Sequence, residues 1–174
     1  MAFQSTSCAM TNKTFGLILA FCFLTSGACF ADLFSPQMGT WKLNPAKSKL
    51  SREMGRNDMV DYEMSFMKTK VTISGVDKNG HALHSEWKGN FDGHDYPVTG
   101  DPSSDARSYR KVNDNTMEFT VKQGGKVMAT GKIVVAPDGN SRTVTSWSTN
   151  SKGKRVTTIA VYDKVNLRDK VMGH

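Results

Sequence analysis

Most of the chain consists of short runs in which apolar and polar residues alternate, each bounded by residues typical of tight turns. In residues 60–66, for example, apolar residues occupy the even positions and polar residues the odd ones. Because successive side chains of a β-strand point to opposite faces, this period of two predicts strands with one buried face. Turn sequences such as Asp77-Lys78-Asn79-Gly80 and Gly124-Gly125 separate the runs. We count eight to ten such strands, which predicts an all-β fold.

The spacing of the turns indicates how these strands are connected. Consecutive hairpins place each strand beside the next one along the chain, which gives an antiparallel meander. Such a sheet has two exposed edges, and closure into an up-and-down barrel removes both. We therefore predict a closed barrel, with a two-sheet sandwich as the alternative. One short helix is possible near residues 45–54, where Asn44 can cap it, Pro45 suits its first position and Gly55 can end it; an extended loop is the alternative.

The first 31 residues have the features of a signal peptide. An apolar core over residues 15–24 follows the positive charge of Lys13 and precedes small residues up to Ala31. Cleavage after Ala31 or after Ala28 fits this pattern, and a lipoprotein anchored at Cys29 is a third alternative. We predict an exported protein, periplasmic or secreted, with a signal peptide over residues 1–31, one barrel domain over residues 32–165 and a tail over residues 166–174.

The composition of the mature chain restricts its partners. All cysteines precede the cleavage site after Ala31, so the mature domain would have no disulfide and no thiolate metal site. Its 22 lysines and arginines against 16 acidic residues give a formal net charge of +6 (23 − 1 − 16). A basic exported protein is attracted to anionic envelope surfaces, so we expect peripheral contact there. The basic residues form no long run, and we predict no nucleic-acid partner and a monomer.

Two segments resemble known families. Gly39-Thr40-Trp41-Lys42-Leu43 matches the G-x-W of lipocalins and is similar to the opening strand of intracellular fatty-acid-binding proteins, and Val161-Tyr162-Asp163-Lys164-Val165 resembles their closing strand. With residues 39–50 and 92–100 as its most distinctive parts, the chain resembles secreted bacterial lipocalin-like proteins of the calycin superfamily. The resemblance implies a lipocalin-like barrel in which Gly39 and Trp41 have structural roles at one barrel end.

The closing strand departs from the pattern of the fatty-acid-binding proteins. That family usually has an arginine two residues before the tyrosine, and the pair holds the ligand carboxylate. Ala160 stands at that position here, so Tyr162 lacks its cationic partner. Another arginine could replace it only if its side chain points into the barrel. The candidates are Arg107, Arg110, Arg142 and Arg155.

Large side chains on the predicted strands are the candidates for contact with a ligand. We predict that a small apolar or amphipathic molecule is bound by Tyr62, Phe66, Trp87, Tyr109, Trp147 and Tyr162. For the two tryptophans, a place in the ordinary core is the alternative. A second candidate is the loop with Asp92, His94 and Tyr96, interpreted as a contact at the rim of the barrel mouth. Its alternative is an Asp-Gly turn in which Tyr96-Pro97 packs on the barrel.

The sequence contains no pattern that indicates catalysis. His81 and His84 are three residues apart on a strand and therefore point to opposite faces, which is unsuitable for shared metal ligation. No G-x-S-x-G, H-E-x-x-H or phosphate-loop motif is present. We expect no catalytic residues, metal or cofactor. The prediction is an exported protein that binds a small apolar or amphipathic ligand in the cell envelope; the alternative is a non-enzymatic envelope interaction module with a filled barrel and a basic surface.

Overall fold

The computed structural model describes residues 35–51, 54–150 and 152–166, so the predicted signal peptide and nearly all of the predicted tail lie outside the described residues. Ten antiparallel strands follow one another around a closed barrel, which confirms the predicted all-β meander and excludes the sandwich. They are β1 (Gly39–Leu43), β2 (Arg56–Ser65), β3 (Lys68–Val76), β4 (Ala82–Gly89), β5 (Tyr96–Thr99), β6 (Ala106–Asn113), β7 (Thr116–Gln123), β8 (Lys126–Val135), β9 (Ser141–Thr149) and β10 (Arg155–Lys164).

The barrel closes between its first and last strands. β1 pairs with β2 on one side and with β10 on the other, so that Trp41 lies opposite both Val60 and Lys164. The two segments that carry the family resemblance are therefore direct neighbours. Closure satisfies the backbone groups that would otherwise form exposed edges of the sheet.

The predicted helix over residues 45–54 is wrong beyond its first turn. Among the described residues of this stretch, only Pro45–Lys47 is helical, as a single 3-10 turn in which the Asn44 side chain accepts a hydrogen bond from the Lys47 backbone N–H. Lys49 then pairs with Ile159 of β10 through two backbone hydrogen bonds of 2.7 and 3.0 Å. A helix could not continue because the backbone at Lys49 is already extended and bonded to the sheet. No helix among the described ranges is long and apolar enough to span a bilayer.

The connections between strands alternate between two ends of the barrel. One end, which we call the mouth, contains the β1–β2, β3–β4, β5–β6, β7–β8 and β9–β10 connections. The other, the closed end, contains the remaining turns and fully buried Trp41. The Trp41 indole N–H donates to the carbonyl of Gln37 at 2.8 Å, and the Gln37 amide donates to the carbonyl of Asn115 in the β6–β7 turn. These contacts fill the closed end.

Candidate functional site

The barrel interior contains a cavity of about 820 Å³. Residues 77–79, 101–103 and 150 of the mouth turns border it, so the cavity opens at the mouth. Its wall is largely apolar, and its volume lies in the range of about 300–1,000 Å³ that is typical of small-molecule sites. Because the side chains leave this space, the alternative of a filled barrel is wrong.

Strand alternation decides which residues of β9 face the cavity. Arg142, Val144, Ser146 and Ser148 line it, at every second position. Trp147 falls between two of these positions and therefore lies on the outer face, where the Arg155 guanidinium lies over its ring at 5.5 Å. The prediction that Trp147 lines the interior is wrong, as is the alternative that it belongs to the core.

Arg142 is the central feature of the cavity floor. The residue is 2% exposed, and its guanidinium carbon lies 4.7, 4.9 and 5.1 Å from the ring centres of Trp41, Tyr62 and Tyr162. Its Nε and Nη1 atoms have no hydrogen-bond partner, and none of the described carboxylates forms an ion pair with it. Aromatic faces attract the cation, but they do not accept its in-plane hydrogen bonds. A cation with unused donors therefore lies at the bottom of the cavity.

The register of the last two strands brings Arg142 to this place. Arg142 on β9 lies directly opposite Tyr162 on β10, while Ala160 lies opposite Val144. Ala160 occupies the position at which the fatty-acid-binding proteins usually have an arginine, and it also lines the cavity. A buried cation on the neighbouring strand thus lies beside Tyr162. The Tyr162 hydroxyl donates to the Asn57 carbonyl at 3.1 Å, which fixes the ring beside Arg142.

Arg107 is the second arginine that lines the cavity, and it has an acidic partner. Its Nη2 lies 3.5 Å from Oδ2 of Asp101, and the two side chains are 10% and 8% exposed. The Asp101 carboxylate also accepts hydrogen bonds from the Ser103 backbone and hydroxyl, at 2.8 and 2.7 Å, and from the Ser104 hydroxyl at 2.7 Å. The mouth loop therefore holds a fixed anion against Arg107, whose Nε has no partner of its own.

The other two arginine candidates do not reach the cavity. Arg110 pairs with Glu118, and its side chain is 60% exposed, while Arg155 is exposed beside Trp147. The sequence indicated only that one of these arginines could replace the missing one if its side chain pointed inward. It carried no signal that separated Arg107 and Arg142 from these outward residues.

Two tyrosines of the cavity wall, Tyr62 and Tyr162, remain neutral at neutral pH. Burial raises the pKa of Tyr162 to about 12, although the positive charge of Arg142 opposes this shift. Burial and the neighbouring Tyr109 likewise raise the pKa of Tyr62 far above its usual range. For Asp101, burial would raise the pKa, but hydrogen bonds from the two serines and the charge of Arg107 lower it overall. The interior therefore contains two cations and one anion at neutral pH.

The remaining ligand candidates divide between the cavity wall and the core. Tyr62, Tyr109 and Tyr162 line the cavity, and their contact with a ligand stays a prediction. Trp87 is 1% exposed but does not border the cavity, because it stacks on Phe91 at 6.2 Å and its indole N–H donates to the Arg107 carbonyl at 2.8 Å. Trp87 therefore belongs to the core, as the alternative interpretation predicted.

Phe66 does not contribute to the site. It lies in the β2–β3 turn at the closed end, with a side chain that is 95% exposed and a backbone φ of 57°. The alternating pattern runs up to Phe66, but β2 ends at Ser65 and the chain reverses there. The prediction that Phe66 lines the interior is wrong for this reason.

The loop between β4 and β5 lies at the closed end and not at the mouth, so its interpretation as a rim contact is wrong. Asp92 accepts hydrogen bonds from the Tyr96 hydroxyl at 2.7 Å and from the His94 backbone at 2.9 Å. The Tyr96 ring packs edge-on against Trp87, at a centroid distance of 5.7 Å. The loop is thus a turn packed on the barrel. Among the described residues, no group of three or more His, Cys, Asp or Glu side chains could hold a metal ion.

Comparisons with known proteins leave the family of this chain open. No protein-family model matches it, and no curated protein matches it. Among solved structures, a redesigned β-barrel, mFAP1, bound to DFHBI is similar, with a TM-score of 0.38 and 14% sequence identity. The match covers 79% of this chain and 100% of that one.

Proposed function

We propose that this protein binds a small amphipathic molecule with an acidic group inside the barrel, and that it does so in the cell envelope. The observation that carries the proposal is Arg142, a buried guanidinium that borders the cavity without a carboxylate partner. A buried cation without an anion is costly, and a carboxylate from a ligand would supply both the opposite charge and the missing acceptors.

The shape of the cavity suggests how such a molecule would lie. Arg142 contacts Trp41 at the closed end, so the acidic group would be deep in the barrel. Apolar side chains form the wall between this floor and the mouth: Leu43, Val60, Ile73, Leu83, Phe119 and Ile133. An apolar chain would contact these residues and contribute roughly 25 cal/mol for each Å² removed from water. The site therefore favours an acid with an apolar tail over a fully polar anion.

The envelope location is supported by the signal-peptide pattern of residues 1–31 and by the basic net charge of the chain. Fractionation of cells that produce the full chain with a C-terminal epitope tag tests it. We expect a shortened form outside the cytoplasm. A full-length form that stays in the cytoplasm would contradict the location without affecting the binding proposal.

Binding is tested with ligands that share one alkyl chain and differ only in the head group. Dodecanoate, dodecanol and dodecyltrimethylammonium are titrated into the purified protein by calorimetry, below their micelle concentrations. We expect saturable binding of one dodecanoate, weaker binding of the alcohol and the weakest binding of the cation, because only the anion compensates Arg142. Equal affinity for the three ligands, or no saturable binding of any, would refute the proposed function.

A further inference from the structure

The charged residues that line the cavity form two groups. Arg56 begins β2 at the mouth, and Asp77 and Lys78 belong to the β3–β4 connection there, where water and salt screen their charges. Arg107, Asp101 and Arg142 are buried: the side chains of Arg107 and Asp101 are 10% and 8% exposed, and Arg142 is 2% exposed. Only this second group acts on a ligand without strong screening.

The buried group has an uneven charge balance. Asp101 lies against Arg107 at 3.5 Å, whereas Arg142 has no acidic partner among the residues that the structure describes. Three hydrogen bonds from Ser103 and Ser104 fix the Asp101 carboxylate, so its position does not depend on the ion pair alone. With two cations and one anion, the buried group has one uncompensated positive charge.

We propose that Asp101 determines the charge of the ligand, because it neutralises Arg107 and leaves Arg142 as the single uncompensated cation among the buried residues of the cavity. This proposal rests on the proposed function. It means that the site selects an amphiphile with one negative charge over an amphiphile with two. The second charge of a dianion would enter a poorly hydrated cavity without a free counter-charge, which is unfavourable. Asp101 is then a specificity-determining residue that needs no contact with the ligand.

Lys164 does not change this balance. Its ammonium nitrogen lies 5.0 Å from the centre of the Trp41 ring, but the residue does not border the cavity and remains partly in contact with solvent. Its charge strengthens the general attraction for anions at the closed end. It offers no direct counter-charge inside the cavity.

The replacement Asp101→Asn tests the proposal, because asparagine keeps the size of the side chain and an oxygen acceptor for the Ser103 donors. Affinities for dodecanoate and dodecyl phosphate are measured at about pH 8, where the phosphate carries close to two negative charges because its second pKa is about 6. We expect the wild-type protein to prefer dodecanoate. In the variant, the preference should shift toward dodecyl phosphate by at least about tenfold, because Arg107 becomes a second free cation.

Two further variants complete a series of net cavity charges. Arg107→Gln leaves Asp101 unpaired and should weaken binding of both anions by at least about tenfold, since the net charge falls to zero. The double variant Asp101→Asn with Arg107→Gln restores a single free cation and should restore the wild-type preference. Circular dichroism and thermal melting establish that each variant is folded, and the double variant allows the test even if one single variant is unstable.

Asp105→Asn is the matched control. Asp105 lies in the same mouth loop, but it is exposed, accepts a hydrogen bond from the Gly124 backbone at 2.6 Å and does not line the cavity. Its replacement should leave the preference unchanged. The proposal is overturned if the Asp101 and Asp105 variants shift the preference equally, or if the Asp101 variant binds dodecanoate and keeps the wild-type preference. Failure of the wild-type protein to bind dodecanoate would instead refute the proposed function.

Discussion

Replacing Arg142 by methionine should stabilise the ligand-free barrel and at the same time remove its affinity for acidic amphiphiles. Arg142 is almost fully buried, its Nε and Nη1 atoms carry three N–H groups without acceptors, and no carboxylate among the described residues lies beside it. Methionine retains an unbranched, adaptable side chain that can pack among the same three aromatic rings, but it carries no charge. Stability and binding are therefore predicted to change in opposite directions.

The expected gain in stability follows from the contacts of the guanidinium. Each unpaired N–H costs about 1–3 kcal/mol, and each desolvated contact with an aromatic face returns up to about 2 kcal/mol. With the three N–H groups of Nε and Nη1 and three such rings, these contributions nearly cancel. The cost of removing the charge from water remains, so we expect Arg142→Met to raise the free energy of unfolding by about 1–3 kcal/mol.

The loss of binding has a different origin. Hydrogen bonds to a charged group contribute about 1.5–3 kcal/mol, and the ion pair in the cavity adds to them. We expect dodecanoate to lose about 3 kcal/mol of binding free energy, or roughly a hundredfold in affinity. Dodecanol should bind the variant about as well as the wild-type protein, because its head group carries no charge.

Urea unfolding without ligand and calorimetric titration with dodecanoate measure the two effects. Arg110→Met is the control, since Arg110 loses the same charge from an exposed position beside Glu118. It should change the free energy of unfolding by less than about 0.5 kcal/mol and leave dodecanoate binding unchanged. An Arg142→Met protein that is less stable than the wild type by more than about 1 kcal/mol would refute the reasoning on stability. Undiminished dodecanoate binding would refute the role of Arg142.

Two other predictions concern the turn at the closed end and the buried tyrosines. Phe66→Asn should raise the free energy of unfolding by about 1 kcal/mol, because Asn tolerates the φ of 57° better and few contacts are lost with the exposed ring. Dodecanoate binding should stay unchanged. A tenfold loss of affinity for dodecanoate in calorimetry would show that Phe66 belongs to the site. Stability should also fall above about pH 10, because the pKa of Tyr162 is 10.0 in an unfolded chain and about 12 in the barrel. The contribution of neutral Tyr162 to the free energy of unfolding is complete below about pH 10. It is lost as the pH rises to about 12, at about 1.4 kcal/mol per pH unit. Urea unfolding at several pH values measures this slope, which Tyr162→Phe should reduce; an unchanged slope in that variant would contradict the assignment.

The barrel could be predicted because its determinants are local. Alternating residues define each strand, and turn residues define each hairpin, so that every strand pairs with its sequence neighbour. Gly124 and Gly125, for example, both adopt the positive φ that their turn requires. Local patterns failed where a distant contact decided the conformation. Lys49 was predicted to be helical, but its backbone pairs with β10.

The direction of side chains was predicted less well than the strands themselves. The period of two shows which residues of a strand share a face, but it does not show which face points inward. On β9 both faces carry small polar residues, and the large ring of Trp147 suggested the wrong one. The register with β8 and β10 and the closure of the barrel place Val144 and Ser146 inside.

The sequence by itself determined the strand order and the turns, because these follow from neighbouring residues. Only the tertiary structure decided which arginines face the cavity and which of them lacks an acidic partner among the described residues. Arg142 meets Tyr162 through strand pairing, and Arg107 meets Asp101 through the fold of a mouth loop. Both pairs depend on a closed sheet, in which small changes of register move every side chain to the opposite face.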